Sequence, residues 1–430
     1  MNPIDLQQPI LDSGIRSVNF FNGRLLLGDD LTQERSANRE VDCRLGQAIG
    51  TGVANGLEVT QAVGSTKKAP MLSVTAGLAL NAKGQPLALA EQTDVTLLRA
   101  DEVLPATKRT FSVCLPPQGG TTVTGTGVYL LVLSPASGSL GRAPANGIDC
   151  CNATCNARYV VDGVQFRLIQ VPLTFEELQL GNMLRNYIAY KFFGTLDPNY
   201  LRVLRDPFGR STEDYGLLAS LKRQKSVTDC DVPLAIMLWT ADGGIEFIDQ
   251  WAVRRRITQP TATQSWSAYA GDRRKSEGEG IFLQFQEHIR DLVATKSHPE
   301  SISMVDHFSL LPPVGFLPLA KVGPIAGFSY QTFFGVKPIR NPYFVGADKL
   351  RGIVETSLSY EPIKARDREM VWLYQVRENH DPTAYDKDIP SQSYIIFTSG
   401  HAPFHGNAQA DVARADFSNF PPQPWQTGEN

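Results

Sequence analysis

The 430-residue sequence has no apolar run approaching the roughly 18–20 residues that a membrane-spanning helix needs. Its opening, MNPIDLQQPILDSGIRSV, carries acids early and no basic start followed by an apolar stretch, so it does not read as a secretory signal. Assembly in the cytosol is therefore expected, with any location outside the cell reached by a route other than ordinary secretion. Charge of one sign is missing as well. With Lys+Arg at 41, Asp+Glu at 44 and a net charge of −3, nothing favours a polyanion, and nucleic acid is not an expected partner.

Cysteine is scarce. Cys43, Cys114, Cys150, Cys151, Cys155 and Cys230 are too few for a disulfide scaffold in a chain of this length. The Cys150-Cys151-x3-Cys155 cluster lacks the paired short spacings of a zinc site, and a fourth ligand would have to come from afar. A local disulfide or buried thiols are the readings it supports, and no metal or other cofactor is expected.

Histidine is equally thin. Of the six, only His401 and His405 are closely spaced, and Pro403 and Gly406 work against the helix that an i,i+4 metal pair needs. There is no Walker A loop, no G-x-G-x-x-G, no H-E-x-x-H and no G-x-S-x-G. Asp348 with Glu355, or Glu361 with Asp367, are pairs that a glycosidase reading would take up. Such spacings are commonplace among 44 acids. No catalytic residue is assigned, and the chain reads as a non-enzyme.

What is present is core-forming material and turns. Hydrophobic residues make up 42%, and 36 glycines and 28 prolines are spread along the chain, as many short strands require. The expected fold class is α+β and multi-domain. Residues 1–49 read as an N-terminal arm and helix. The arm ends near Phe20, Phe21 and the Asn22-Gly23 turn, and the helix starts at Asp29-Asp30 and runs from about 30 to 46. Its apolar positions, Leu31, Ala37, Val41 and Leu45, make a thin face that suits other copies or a partner, or a plain surface helix.

Residues 50–172 read as a β-sandwich-like domain. An apolar run from Leu72 to Leu80 returns through Asn81–Gly84 to Pro86–Leu89, and further strands are expected at Asp94–Leu98, Thr110–Leu115, Gly127–Ser134 and Val164–Val171. A small-residue loop over 135–158 would leave the sandwich. Residues 173–260 combine helices with a hairpin, Val232–Trp239 to Ile245–Asp249. Residues 261–407 form a C-terminal mixed α/β region. It has a helix from Gly280 to Ala294, an extended Leu310–Pro318, a helix near 347–359 and strands Val371–Val376 and Tyr394–Thr398. Residues 408–430 are a polar, Pro-rich tail.

Several motifs recur in a fixed order. Phe20-Phe21-Asn22-Gly23-Arg24-Leu25-Leu26 is followed by Asp30-Leu31, then Gly52-Val53-x2-Gly56-Leu57-Glu58-Val59, then Val74-x2-Gly77-Leu78-Ala79-Leu80-Asn81-x2-Gly84. Leu311–Pro318 and Val371-Trp372-Leu373-Tyr374-x2-Arg377-Glu378-Asn379 come later. In this order the sequence resembles the cage- or fibre-like baseplate-associated proteins of phage-tail-like contractile injection systems. The resemblance implies a structural subunit at the baseplate or its periphery. Its partners would be other baseplate and tail subunits and copies of itself, in trimer- or hexamer-related symmetry.

The candidate interaction residues are Phe20, Phe21, Leu31, Trp251, Arg254, Arg255 and Trp372. Trp and Arg are favoured interface anchors. Trp251 beside Arg254–Arg256 reads equally as a strand-end Trp closing the core. Two other functions stay open: a carbohydrate- or cell-surface-binding fibre module, and a particle-associated hydrolase. Fold alone does not separate them.

Overall fold

The computed structural model describes residues 11, 14–97, 125–144, 155–197, 215–258, 272–319, 326–335, 342–367, 369–377 and 394–405. The fold is α+β. Helix α1 (Gly28–Ile49) follows an extended arm. Six short strands come next: β1 (Gly52–Gly56), β2 (Val59–Gln61), β3 (Met71–Val74), β4 (Gly77–Leu80), β5 (Pro86–Leu89) and β6 (Thr93–Thr96). They form two three-stranded sheets, ordered β1-β4-β5 and β2-β3-β6. The expected run from Leu72 to Leu80 is thus two strands in different sheets, broken at Thr75-Ala76. The expected hairpin through Asn81–Gly84 is present, with Leu80 opposite Pro86.

Strands β7 (Gly127–Pro144) and β8 (Cys155–Gln170) are far longer than expected. They pair without interruption from Tyr129↔Gln170 to Leu140↔Tyr159 and on to Pro144↔Cys155. The expected loop over 135–158 is corrected here: residues 135–144 and 155–158 are strand. Its small residues suggested a loop, yet a two-stranded ribbon is held by backbone pairing and needs no large side chains. Cys155 lies in β8, whereas Cys150, Cys151, Cys114 and the strand expected at Thr110–Leu115 lie outside the described residues. Cys230 is disulfide-bonded, and Cys43 carries a free thiol.

The 173–260 segment supplies α2 (Phe175–Leu178), α3 (Leu184–Phe193) and α4 (Leu217–Arg223), then the hairpin of β9 (Val232–Thr240) and β10 (Gly244–Asp249). Strand β9 pairs with β7, giving a four-stranded antiparallel sheet β10-β9-β7-β8. This sheet joins strands from both sides of residue 172. Alternation along β7 explains how it is used. Tyr129, Leu131 and Leu133 point to one side and pack with Leu57, Val59, Leu72, Val74 and Leu87 of the small sheets. Val128, Leu130 and Val132 point to the other and pack with Leu184, Ile188, Phe192, Leu217 and Leu221 of the helices. A period-2 strand buried on both faces must be apolar throughout, as Val128–Leu133 is. Each such side chain stabilises the fold by roughly 1.5–3 kcal/mol.

The C-terminal region repeats the plan. Helix α5 (Asp272–Thr295) precedes α6 (Met304–His307), β11 (Leu310–Leu311), β12 (Val314–Pro318), α7 (Tyr330–Phe334), β13 (Tyr343–Val345), α8 (Leu350–Ser357), β14 (Ile363–Lys364), β15 (Val371–Val376) and β16 (Tyr394–Ser399). Four strands form a sheet ordered β12-β16-β15-β13, in which only β13 runs parallel to its neighbour. Leu317, Leu373, Ile395 and Phe397 face Phe285, Ile289 and Val293 of α5. Val314, Trp372, Tyr374 and Ile396 face Ile353 of α8. No helix among the described residues is long and apolar enough to cross a membrane.

Candidate functional site

Helix α1 stands apart from this layered body. Its start is set by acids: the Asp30 carboxylate accepts from the Leu27 amide at 3.0 Å and pairs with Arg24 at 2.5 Å. Acceptance from the Leu27 amide, with the Arg24 guanidinium alongside, holds the Asp30 pKa below the usual carboxylate value. The arm folds back on the first turns. The Val18 amide donates to Glu34 Oε2 at 3.0 Å, and Gln33 Nε2 donates to the Arg16 carbonyl at 2.8 Å.

The second half rests on the body through small contacts. A side chain at Gly46 would meet the Gly84 carbonyl, and one at Gly84 would meet the Cys43 carbonyl. Two glycines are therefore needed for this close approach, and φ is +76° at Gly84. Buried Asn81 shapes the turn that carries Gly84. Its Oδ1 accepts from the amides of Lys83 and Gln85, and its Nδ2 donates to the Cys230 carbonyl. Arg39 pairs with Asp162 on the ribbon, and Gln47 reaches the Lys83 carbonyl at 3.3 Å.

This seating buries only Ala37 and Gly46 of the 22 residues. Leu27, Leu31, Val41, Leu45 and Ile49 are each at least 44% exposed. At 3.6 residues per turn they fall within about 80° of arc, away from the face on the body. Phe20, Phe21, Leu25 and Leu26 of the arm are exposed too. A second uncovered element is the outer ribbon of β7 and β8, where Leu140, Tyr159 and Val161 stand on one face in paired positions. Contiguous exposed apolar surface of this kind marks interaction sites.

The candidate anchors divide accordingly. Phe20, Phe21 and Leu31 lie together on the exposed N-terminal element. Arg254 and Arg255 are used within the fold. Arg254 donates to the carbonyls of Gly56 at 2.6 Å and Leu57 at 3.0 Å, bracing a turn in which Leu57 is buried at φ +57°. Its guanidinium lies 5.5 Å from the Trp251 ring, and Trp251 is half-buried. Arg255 donates to the Trp251, Ala252 and Arg254 carbonyls and sits over Phe193 at 4.8 Å. Trp372 is 6% exposed and packs on Phe404 at 5.0 Å, inside the core of the C-terminal sheet.

One constellation had no sequence signal. Arg185 of α3, Asp249 at the end of β10 and Gln284, Glu287, His288 and Asp291 of α5 meet where the two halves of the molecule join. Arg185 Nε donates to Asp249 at 3.1 Å and Nη1 to Asp291 at 2.8 Å, with Glu287 3.8 Å away. Gln284 Nε2 donates to Asp249 at 2.8 Å. Burial, with the Asp249 charge, raises the Glu287 pKa to about 7, against the pull of Arg185. Burial, with Arg185 nearby, pushes His288 well below the usual imidazole value. The acids lie 64 or more residues from Arg185, and only the helical spacing at 284, 287, 288 and 291 could have hinted at a shared face. The cluster is enclosed apart from half-exposed Asp291, so it fastens α3, β10 and α5 rather than receiving a substrate.

A surface groove of about 490 Å³ lies between the α2–α3 connection, the segment after α5, α6 and the segment after β14, lined by Leu180, Met183, Lys296, Val305, Asp306 and Arg366. His401 is exposed on a turn, while the His405 amide donates to the Tyr374 hydroxyl at 3.1 Å. Glu355 is paired with Arg351 and Asp367 with Lys364. Among the described residues, no group of three or more His, Cys, Asp or Glu side chains could hold a metal ion. No protein-family model matches the chain. A search of curated proteins gives no significant match.

Proposed function

We propose that the chain is a structural subunit of a phage-tail-like contractile particle, placed at the baseplate or its periphery and acting by docking onto other polypeptides. The observation that carries this reading is helix α1. A 22-residue helix that buries two residues leaves an apolar stripe exposed. The β7–β8 ribbon, with Leu140, Tyr159 and Val161 uncovered, supports the same reading from a second element. The ordered motifs from Phe20 to Asn379 supply the class of particle.

Purification of the native complex through a tag on this chain, followed by negative-stain imaging, tests the proposal. Sheath-and-tube particles carrying the chain are the expected result. Recovery of the chain solely as a free species, from cells that make such particles, would overturn it.

A further inference from the structure

The proposed function says that α1 docks but leaves its occupant open, and the order of residues on the exposed stripe narrows the choice. Along α1 the stripe reads Leu27, Leu31, Glu34, Asn38, Val41, Leu45. The steps between these positions alternate four and three, the spacing of a coiled-coil seam. The two ends are apolar and the middle is polar. That pattern is nearly the same read forwards or backwards, which is the requirement for a two-fold contact between identical surfaces.

We infer that α1 pairs with α1 of a second copy of this chain, antiparallel, about a two-fold axis near residue 36. In this register Leu27 faces Leu45 of the second copy, Leu31 faces its Val41, and Glu34 faces its Asn38. Every apolar layer meets an apolar layer, and each of the two central layers places a carboxamide against a carboxylate. Glu34 is oriented for this by the arm, since its Oε2 already accepts from the Val18 amide, leaving Oε1 for the Asn38 amide. At the flanks Asp30 lies near Arg44 of the second copy. Arg35 comes near its own equivalent, and its charge is offset by Asp162, 3.9 Å away in the same chain.

A parallel pair stacks the same apolar positions but sets Glu34 against Glu34, two like charges at one layer. Specificity here rests on that disfavoured alternative as much as on the favoured one. The helix is about 33 Å long, enough for all six layers. The Gly46–Gly84 contact and the ribbon lie on other sides of the helix, and the arm's hydrogen bond to the stripe falls at Glu34, so Leu27, Leu31, Asn38, Val41 and Leu45 stay exposed.

This inference rests on the docking reading of α1, and the test separates the two. Sedimentation velocity on the full-length chain is expected to give a dimer. A Leu31→Asp/Leu45→Asp variant is expected to sediment as a monomer with an unchanged circular-dichroism spectrum, and to melt with wild type at concentrations low enough that both are monomeric. An Asn38→Lys variant sets lysine against Glu34 in the antiparallel pair and is expected to tighten dimerisation at least tenfold. In a parallel pair it sets lysine against lysine and weakens it. A monomeric wild type at tens of micromolar, a double variant that keeps the wild-type state, or weakening by Asn38→Lys would each overturn the inference. If the double variant is monomeric yet still enters sheath-and-tube particles, the pairing holds and particle docking uses another surface. If the wild type is monomeric but present in particles, the pairing falls and the proposed function stands.

Discussion

Helices α1 and α5 are nearly equal in length, 22 and 24 residues, and open with comparable polar sequences, yet one is bare and the other enclosed. In α5 the apolar residues Ile281, Phe285, Ile289 and Val293 recur every four positions and are all buried. Phe285 alone meets Phe308, Phe333 and Phe397. Even its polar Gln284 and His288 are buried, because the helix lies between the two halves of the molecule. In α1 the apolar residues are as regular, but the contact with the body is made by Gly46 and Arg39 instead. The difference teaches that apolar periodicity says a face will be covered, and not by what. The covering element is decided by which face the chain's own turns and glycines hold against the body.

The sharpest way to break the comparison is to damage the enclosed helix's polar junction. Arg185→Ala should destabilise the protein by roughly 3–5 kcal/mol, because it leaves Asp249, fully buried, without its cation. Phe285→Ala removes a fully buried ring from the core and should cost about 3–5 kcal/mol, with the cavity adding to the lost burial. Chemical denaturation of both variants against wild type checks these values. A loss under about 1 kcal/mol in either would mean that α5 is held less tightly than its burial implies.

Much of α5's setting was legible in the sequence and its polar junction was not. The strands Val371–Val376 and Tyr394–Ser399, the hairpin β9–β10 and α1 itself all carried local signals: apolar runs of strand length, a Gly-Gly turn, and acids at a helix start. Three features failed to show. The ribbon at 135–144 and 155–158 is rich in small residues and imitates a loop. The split at Thr75-Ala76 sends one apolar run into two sheets, a decision made by pairing partners rather than by the run. The Arg185–Asp249–Glu287 cluster joins elements dozens of residues apart, so nothing local marks it. Of the candidate anchors, Leu31 was readable as part of a thin helix face, while the exposure of Phe20 and Phe21 on the arm had no such signal. The same reasoning could not tell that Arg254 would be taken up by two backbone carbonyls, or that Trp372 would lie inside a sheet core.

A pH titration sharpens the view of the junction. Glu287 holds its proton in the folded protein up to about pH 7, whereas its ordinary pKa is 4.5. Between those values folding takes up a proton, so this group's contribution is fully present below pH 4.5 and is lost as pH rises through about 7. Glu287→Gln keeps the side chain's shape without the charge. It should flatten the decline in stability between about pH 4.5 and pH 7, measured as the denaturation midpoint at each pH. An identical decline in wild type and variant would assign the pH dependence to another group.

The smallest effect is expected on the bare helix, and its smallness is informative. Leu31→Ala and Leu45→Ala remove side chains that are 58% and 59% exposed, so each should change the stability of the isolated chain by no more than about 0.5 kcal/mol. A well-packed helix of this length would lose several times as much at equivalent positions. The measurement is a denaturation curve at protein concentrations low enough to disfavour self-association, since any pairing of copies would add stability that grows with concentration. Near-neutrality at low concentration, with a deficit that opens as concentration rises, would locate the value of these leucines outside the folded chain. A full 2 kcal/mol loss at low concentration would instead mean that α1 is covered by its own polypeptide.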